Sequence, residues 1–254
     1  RMTKKLSALI VVHNEGKQLN ECLKTISFAD EIIVILDKCS DNSEEIAKKF
    51  TKNIFHGSWQ LEGDRRNYGI KKCSNSWVFE IDADERVPIL LQNEIRKCVD
   101  RNIYDYYLIP VNNYIGKNIV KYGWGAYFGK SSYPGLFKKE NKLWGKQRVH
   151  PKLTLMGRKG FTLQNAIKHY YCKNISDMLI KLDKYSSARA LDLLEQKNTE
   201  NSMKNFRRLF SRFWKCFILR KGYKEKNIGL MIAIMASLYP LLSYAKYLFL
   251  KKND

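Results

Sequence analysis

An α/β fold, with a mixed but mostly parallel sheet covered by helices on both faces, is predicted by three observations. Short β-branched apolar runs alternate with segments of helical spacing through the first hundred residues. Each of the main apolar runs ends in a polar cluster, as expected where strand ends face a ligand crevice. A chain of 254 residues with 44% hydrophobic content can bury one substantial core and still leave a helical appendage.

The elements follow in order. Residues 6–12 read as a buried strand that stops at His13-Asn14-Glu15-Gly16, and 18–26 keep helical spacing through Leu19, Cys22, Leu23 and Ile26. Residues 31–36 repeat the strand pattern up to Asp37-Lys38-Cys39-Ser40-Asp41-Asn42-Ser43. A helix is expected over 43–50, with Glu44 and Glu45 favoured in its first turn by the helix dipole. A short strand at 53–56 and a helix at 64–72 lead to the strand 77–81, which ends at Asp82-Ala83-Asp84-Glu85. Beyond Pro88 a helix through Ile95 and Val99 precedes a strand at 104–110. The Gly- and aromatic-rich stretch 112–160 reads as loops and short strands and is assigned to the acceptor side. A helical stripe from Met178 to Leu194 is followed by a polar hinge at 196–202.

The last fifth of the chain changes character. Phe206, Leu209, Phe210, Phe213 and Phe217 share a helical face beside Arg207, Arg208, Arg212 and Lys215, a combination suited to an interfacial helix or to one docked on the domain. Residues 228–250 are long and apolar enough to cross a bilayer, but Pro240 interrupts them and Lys246 charges the far end. Lying in or against the membrane is the preferred reading, ahead of a true span and of a buried core helix. The expected organisation is a domain over 1–202, with a half at 1–100 whose strand ends carry the polar clusters and an acceptor half at 101–202, and a membrane-association segment at 203–254.

The formal net charge of +21 calls for polyanionic surroundings, and phosphates of nucleic acid, nucleotide or anionic lipid all qualify. Charge alone does not choose, and a lysine-rich composition also follows from genome bias. Six scattered cysteines, with no CxxC pair, fit a reduced compartment. Arg1 ahead of Met2 reads as a cloning remnant, and the run at 6–12 is too short for a secretory signal.

The sharpest chemical signal is Asp82-Ala83-Asp84 at a strand end. Paired carboxylates there can hold a divalent cation, Mg2+ or Mn2+, that binds a diphosphate and neutralises the charge of a departing nucleotide. A DxD alone is common in surface turns. It gains weight from Asp37 and Asp41 at the preceding strand end and from Arg65-Arg66-Asn67 between them, since carboxylates accept from base or ribose and arginines favour phosphate. Carboxylates at these strand ends also argue against nucleic acid in the crevice.

Val12-His13-Asn14-Glu15, Ala29-Asp30-Glu31-Ile32-Ile33-Val34, Asp37 to Ser43, Arg66-Asn67 and Trp77 to Glu85 together resemble glycosyltransferase family 2, the inverting group with a GT-A (Rossmann-like) fold. Val149-His150, His169-Tyr170, Lys184 to Ala190 and Phe217 to Tyr223 are similar to the branch of lipopolysaccharide core β-1,4-glucosyltransferases. The resemblance implies a metal-dependent hexosyltransferase using a nucleotide-diphosphate sugar donor, glucose-like, and a lipid-linked saccharide acceptor. It further implies Asp37 at the nucleobase, Asn14 and Glu15 beside base and ribose, Arg65 and Arg66 at the donor phosphates, Asp82 at ribose and metal, and Asp84 at the metal. One departure stands out: Pro151 follows His150 where this branch usually has an acidic residue. An inverting transfer needs a base for the acceptor hydroxyl. His150 is a candidate for that base, for a further metal ligand or for a structural histidine; Glu85 is a substitute base, and His169 is taken as structural. The expected location is cytoplasmic, peripheral on the inner face of the cytoplasmic membrane and held by anionic lipid. A noncatalytic nucleotide-sugar-binding protein is the alternative to the enzyme.

Overall fold

The computed structural model describes residues 4–124, 129–148, 151–195 and 201–253. The chain forms two compact units, residues 1–112 with 131–169 and residues 113–130 with 170–254.

The first unit begins with β1 (Leu6–Val12), α1 (Gly16–Thr25), β2 (Glu31–Asp37), α2 (Ser43–Ala47), β3 (Ile54–Gly57), α3 (Glu62–Lys72) and β4 (Trp77–Ile81). β1 lies between β2 and β4 and runs parallel to both, and β2 runs parallel to β3. All seven residues of β1 are buried, as a central parallel strand requires when helices cover both faces. Its period of two divides the core. Ala8, Ile10 and Val12 pack on one side with Leu19 and Leu23 of α1, while Leu9 and Val11 pack on the other with Ile70 of α3. After β5 (Glu85–Arg86) and α4 (Ile89–Arg101) come β6 (Tyr106–Ile115), β7 (Asn118–Val120), β8 (Ser132–Lys138), β9 (Lys142–Trp144), β10 (Leu153–Leu155), β11 (Lys159–Thr162) and β12 (Ile167–Cys172). The sheet order is β3-β2-β1-β4-β8-β6-β12-β5, with β8 antiparallel to both β4 and β6. The parallel half is thus the one whose strand ends carry the polar clusters.

Two expected lengths change. The helix after Ser43 stops at Ala47 instead of reaching Phe50, and the strand expected at 104–110 runs from Tyr106 to Ile115 with strictly alternating burial. The helices on either side of residue 202 belong to one compact unit.

That second unit holds α5 (Ile175–Glu195), α6 (Ser202–Trp214), a π-helical turn at Lys215–Leu219, a 3-10 turn at Gly222–Glu225 and α7 (Lys226–Asn253). The expected hinge falls mostly on 196–200, outside the described residues; Asn201 caps α6, its side chain accepting from the Met203 N–H at 2.8 Å. Residues 222–252 are long and apolar enough to cross a membrane, yet half of the most apolar window is buried inside the protein. Ile232, Ala233, Met235, Ala236 and Tyr239 of α7 join Met178 and Leu182 of α5 in one core. Lys246 of α7 donates to Asp183 Oδ1 at 2.7 Å, Ser186 Oγ at 2.9 Å and Ser187 Oγ at 2.8 Å on α5. The charge at the far end of the apolar run is therefore consumed within the helical unit.

In the first unit, α3 is seated by Asn67, which donates to the Trp144 carbonyl and accepts from the Trp144 N–H, both at 2.9 Å. The approach is close enough that a Cβ on Gly63 would overlap the Gly145 carbonyl oxygen. Alanine inside a helix is favoured over glycine by about 1 kcal/mol, but overpacking against backbone costs roughly 1–3 kcal/mol. Gly63→Ala is accordingly expected to lower the midpoint of urea unfolding, and an unchanged or raised midpoint would show that α3 can shift freely.

Candidate functional site

Three loops meet beyond the carboxyl ends of β1, β2 and β4, with the strand order changing direction between β1 and β4. The first two loops are pinned to each other. Asn14 adopts a left-handed conformation (φ 54°), and its Oδ1 accepts from the backbone N–H groups of Ser40 at 2.8 Å and Asp41 at 3.3 Å. The Gly16 N–H donates to Asp41 Oδ2 at 2.8 Å, and the Glu15 N–H to Ser43 Oγ at 3.2 Å. His13 Nδ1 lies 2.7 Å from the Asp37 carbonyl oxygen. Asn14 thus shapes the loop through its side-chain oxygen, while the Glu15 carboxylate accepts from Gln18 Nε2 at 2.7 Å.

Asp37, at the end of β2, is 5% exposed. Its Oδ1 accepts from the Trp59 N–H and its Oδ2 from Arg65, both at 3.0 Å. A carboxylate has about four acceptor positions, so capacity remains for a further donor. The Arg65 Nε is buried without a hydrogen-bond partner among the described residues, while the side chain as a whole stays 23% exposed.

Arg66 points elsewhere. Nε donates to Glu62 at 2.9 Å, one terminal nitrogen to Glu80 at 2.6 Å and the other to Asp82 Oδ1 at 2.8 Å. Its guanidinium also stacks 4.9 Å from the centroid of Trp144. Burial opposes its charge, but Asp82, Glu62 and Glu80 outweigh burial and hold its pKa well above the ordinary value. The structure thus places the fork of Arg66, expected at the donor phosphates, on three carboxylates.

Glu80 was not singled out by its sequence, although an acid inside the apolar run Trp77-Val78-Phe79-Glu80-Ile81 is a signal that it has a buried partner. It lies opposite Leu9 in the β1–β4 ladder and receives Lys142 at 2.9 Å and Trp144 Nε1 at 3.2 Å in addition to Arg66. Burial pushes its carboxyl up, but Lys142 and Arg66 outweigh that and hold it below the usual range. Lys142 is itself buried and donates to the Pro134 carbonyl at 2.9 Å.

The turn after β4 closes on itself. The Glu85 N–H donates to the Asp82 carbonyl and the Asp82 N–H to Glu85 Oε2, both at 3.0 Å. Alternation across this turn buries Ala83 and Glu85 and leaves Asp82 and Asp84 partly exposed. Glu85, expected as a substitute acceptor base, is 0% exposed and braces the turn from beneath. His169, opposite Glu85 in the β5–β12 pairing, places its Nε2 3.4 Å from Asp84 Oδ2. It sits at the site and not merely in the core. His150 lies outside the described residues.

Among the described residues no three acidic, His or Cys side chains are gathered as a complete metal cage. Asp84 and His169 nevertheless place a carboxylate and an imidazole 3.4 Å apart at the strand end, and the carboxylate is the donor type that suits Mg2+ or Mn2+ when phosphate oxygens complete the shell.

A doubly covered sheet with a DxD turn beside a carboxylate and arginine pair defines a GT-A glycosyltransferase that uses a nucleotide-sugar donor. The sequence profile of glycosyl transferase family 2 matches residues 7–161, and the chain belongs to that family. It is similar to an uncharacterized glycosyltransferase of Rickettsia bellii, with 24% identity over 96% of this chain and 86% of the relative. It is also similar to the lipopolysaccharide core biosynthesis glycosyltransferase LpsC of Rhizobium meliloti, with 21% identity over 91% of this chain and 90% of the relative. The crystal structure of S. aureus TarS 1–349 in complex with UDP-GlcNAc shares the fold, with a TM-score of 0.51 and 15% identity over 96% of this chain and 88% of that one.

Removing one partner from a buried ion network costs roughly 3–5 kcal/mol because the remaining charges stay buried. Glu80→Gln is expected to destabilise the protein by about that amount in urea unfolding. The depressed pKa also fixes the sign with pH. Glu80 contributes fully above the unfolded carboxyl value of about 4.3 and loses its contribution as pH falls through the lower folded value. Stability of the wild type should therefore fall more steeply below about pH 4 than that of Glu80→Gln; parallel acid-unfolding curves would count against the network.

Proposed function

We propose that this glycosyltransferase is inverting and metal-dependent, and that it moves a hexose, glucose-like, from a nucleotide-diphosphate sugar to a lipid-linked saccharide such as a lipopolysaccharide core. The observation that carries the donor half is the turn Asp82 to Glu85, which directs Asp82 and Asp84 outward while Glu85 holds it from beneath. Asp37 accepts from the nucleobase with its remaining lone pairs, and Arg65, whose buried Nε lacks a partner, meets donor phosphate. Asp84 and His169, with Asp82, would hold Mg2+ or Mn2+, which supplies charge neutralisation for the departing diphosphate. Arg66 holds Asp82 in place through its hydrogen bond to Oδ1. The acceptor oxygen attacks the anomeric carbon opposite the diphosphate, and its proton passes to a base; His150 is the candidate that the sequence offers.

The acceptor half rests on the name carried by LpsC and on the basic, aromatic face of α6, which suits an anionic lipid surface. Cytoplasmic placement, peripheral on the inner membrane face, belongs to the same reading.

Three variants separate the roles. Asp84→Ala is expected to abolish Mn2+-dependent sugar transfer and to weaken Mn2+ binding followed by electron paramagnetic resonance, with nucleotide affinity little changed. His169→Ala should weaken that Mn2+ binding by roughly 10–100-fold. Asp37→Ala should instead weaken nucleotide binding in calorimetric titration by about 1.5–3 kcal/mol, the scale of a hydrogen bond to a charged group. Undiminished transfer by folded Asp84→Ala would remove that residue from the site.

A further inference from the structure

The helical unit contains an open apolar groove of about 940 Å³ between α6, its following turn and α7. Leu209, Phe210, Phe213 and Trp214 line one wall and Ile234 and Leu238 the other. Ser237 also faces it, but its hydroxyl already donates to the Ile234 carbonyl at 2.7 Å, so it adds no unsatisfied donor. The size falls within the roughly 300–1,000 Å³ of sites that enclose small ligands, and the lining is almost wholly hydrocarbon.

The rim identifies the occupant. Residues 201–221 carry Lys204, Arg207, Arg208, Arg212, Lys215, Arg220 and Lys221 and no acidic residue. Lys215 itself lines the groove. Met203, Phe206, Phe210 and Trp214, spaced three or four residues apart, form a stripe on α6 and remain 55–74% exposed. A second copy of the chain would bring the same cations face to face, and a neutral hydrocarbon partner would leave them without counter-charge. A molecule with an anionic head and an apolar tail satisfies both features at once. Trp214, at the boundary between stripe and cations, has the amphipathic ring favoured at a membrane interface.

We propose that the groove between α6 and α7 receives an acyl chain of an anionic phospholipid, with the phosphate held by Lys215 in its wall and by neighbouring cations of α6. This rests on the membrane-face reading and makes it specific: α6 lies in the headgroup layer and a single lipid tail enters the protein.

The test uses the full chain with vesicles of phosphatidylglycerol or of phosphatidylcholine, each prepared with and without bromine on the acyl chains. Co-sedimentation should occur with phosphatidylglycerol and weaken with salt. Acyl bromines in that lipid should quench a component of tryptophan fluorescence that Trp214→Phe removes. Phe210→Glu, at a position 63% exposed, should reduce vesicle binding at least tenfold while leaving nucleotide affinity unchanged. Sedimentation without quenching assignable to Trp214 would overturn the groove and leave the membrane reading standing. Absence of sedimentation would overturn both. A dimer in analytical ultracentrifugation that Phe210→Glu dissolves, with no quenching, would give the groove to a second copy and overturn the proposal.

Discussion

The Arg66 guanidinium is the contact on which the crevice end of the sheet depends. It enters from α3 and reaches Glu62 on its own helix, Glu80 inside β4 and Asp82 at the strand end, so one side chain ties helix, strand and the turn after β4. Burying such a cation is tolerable only because three carboxylates surround it, and burying Glu80 only because Lys142 faces it from the other side. Stability and chemistry are joined here, since the group that aims Asp82 also anchors α3 against the sheet.

The same economy governs the neighbouring loops. Asn14 organises the loop after β2 by accepting two of its backbone N–H groups, and Glu85 organises the turn after β4 by accepting the Asp82 N–H. Both are polar residues of the recognisable motifs, and both spend side-chain oxygens on backbone. The side chains left toward the crevice are then Asp37 with Arg65, and Asp82 and Asp84 with His169. Preorganisation of this kind lets a site bind charge without reorienting its own loops.

In the helical unit, small residues and internal polar contacts do comparable work. A Cβ on Gly222 would come within 2.8 Å of the Cys216 carbonyl oxygen, which explains why glycine stands in the segment Arg220-Lys221-Gly222-Tyr223. Glu225 accepts from the backbone N–H groups of Lys121 and Tyr122 at 2.7 and 2.9 Å. Ser186 and Ser187 account for part of the Lys184 to Ala190 motif by receiving Lys246. With α7 packed by these means, open apolar surface remains on α6 and the groove beside it, on α5 at Leu179 and Ile180, and at the end of α7 at Phe249.

Sequence by itself determined the parallel α/β core and the location of its crevice, because a buried strand writes its burial locally: the runs at 6–12, 31–36 and 77–81 are all strands, and their polar ends converge. The DxD turn and Asp37 were legible for the same reason, being polar residues at the ends of apolar runs. Only the tertiary structure decided what each charge does. Arg65 and Arg66 are neighbours in sequence, yet a turn of about 100° per residue on α3 sends one to Asp37 and the other to Glu80 and Asp82. Glu80 finds Lys142 across 62 positions, and Asp84 meets His169 through pairing of β5 with β12. Glu85 carries the same carboxylate as Asp84, but strand alternation turns it inward. The apolar run at 228–250 satisfied the length of a membrane span, and burial of one face against α5 was visible only after packing. Periodicity records which face of an element is buried, whereas the partner of a buried charge is set by which elements the fold brings across from it.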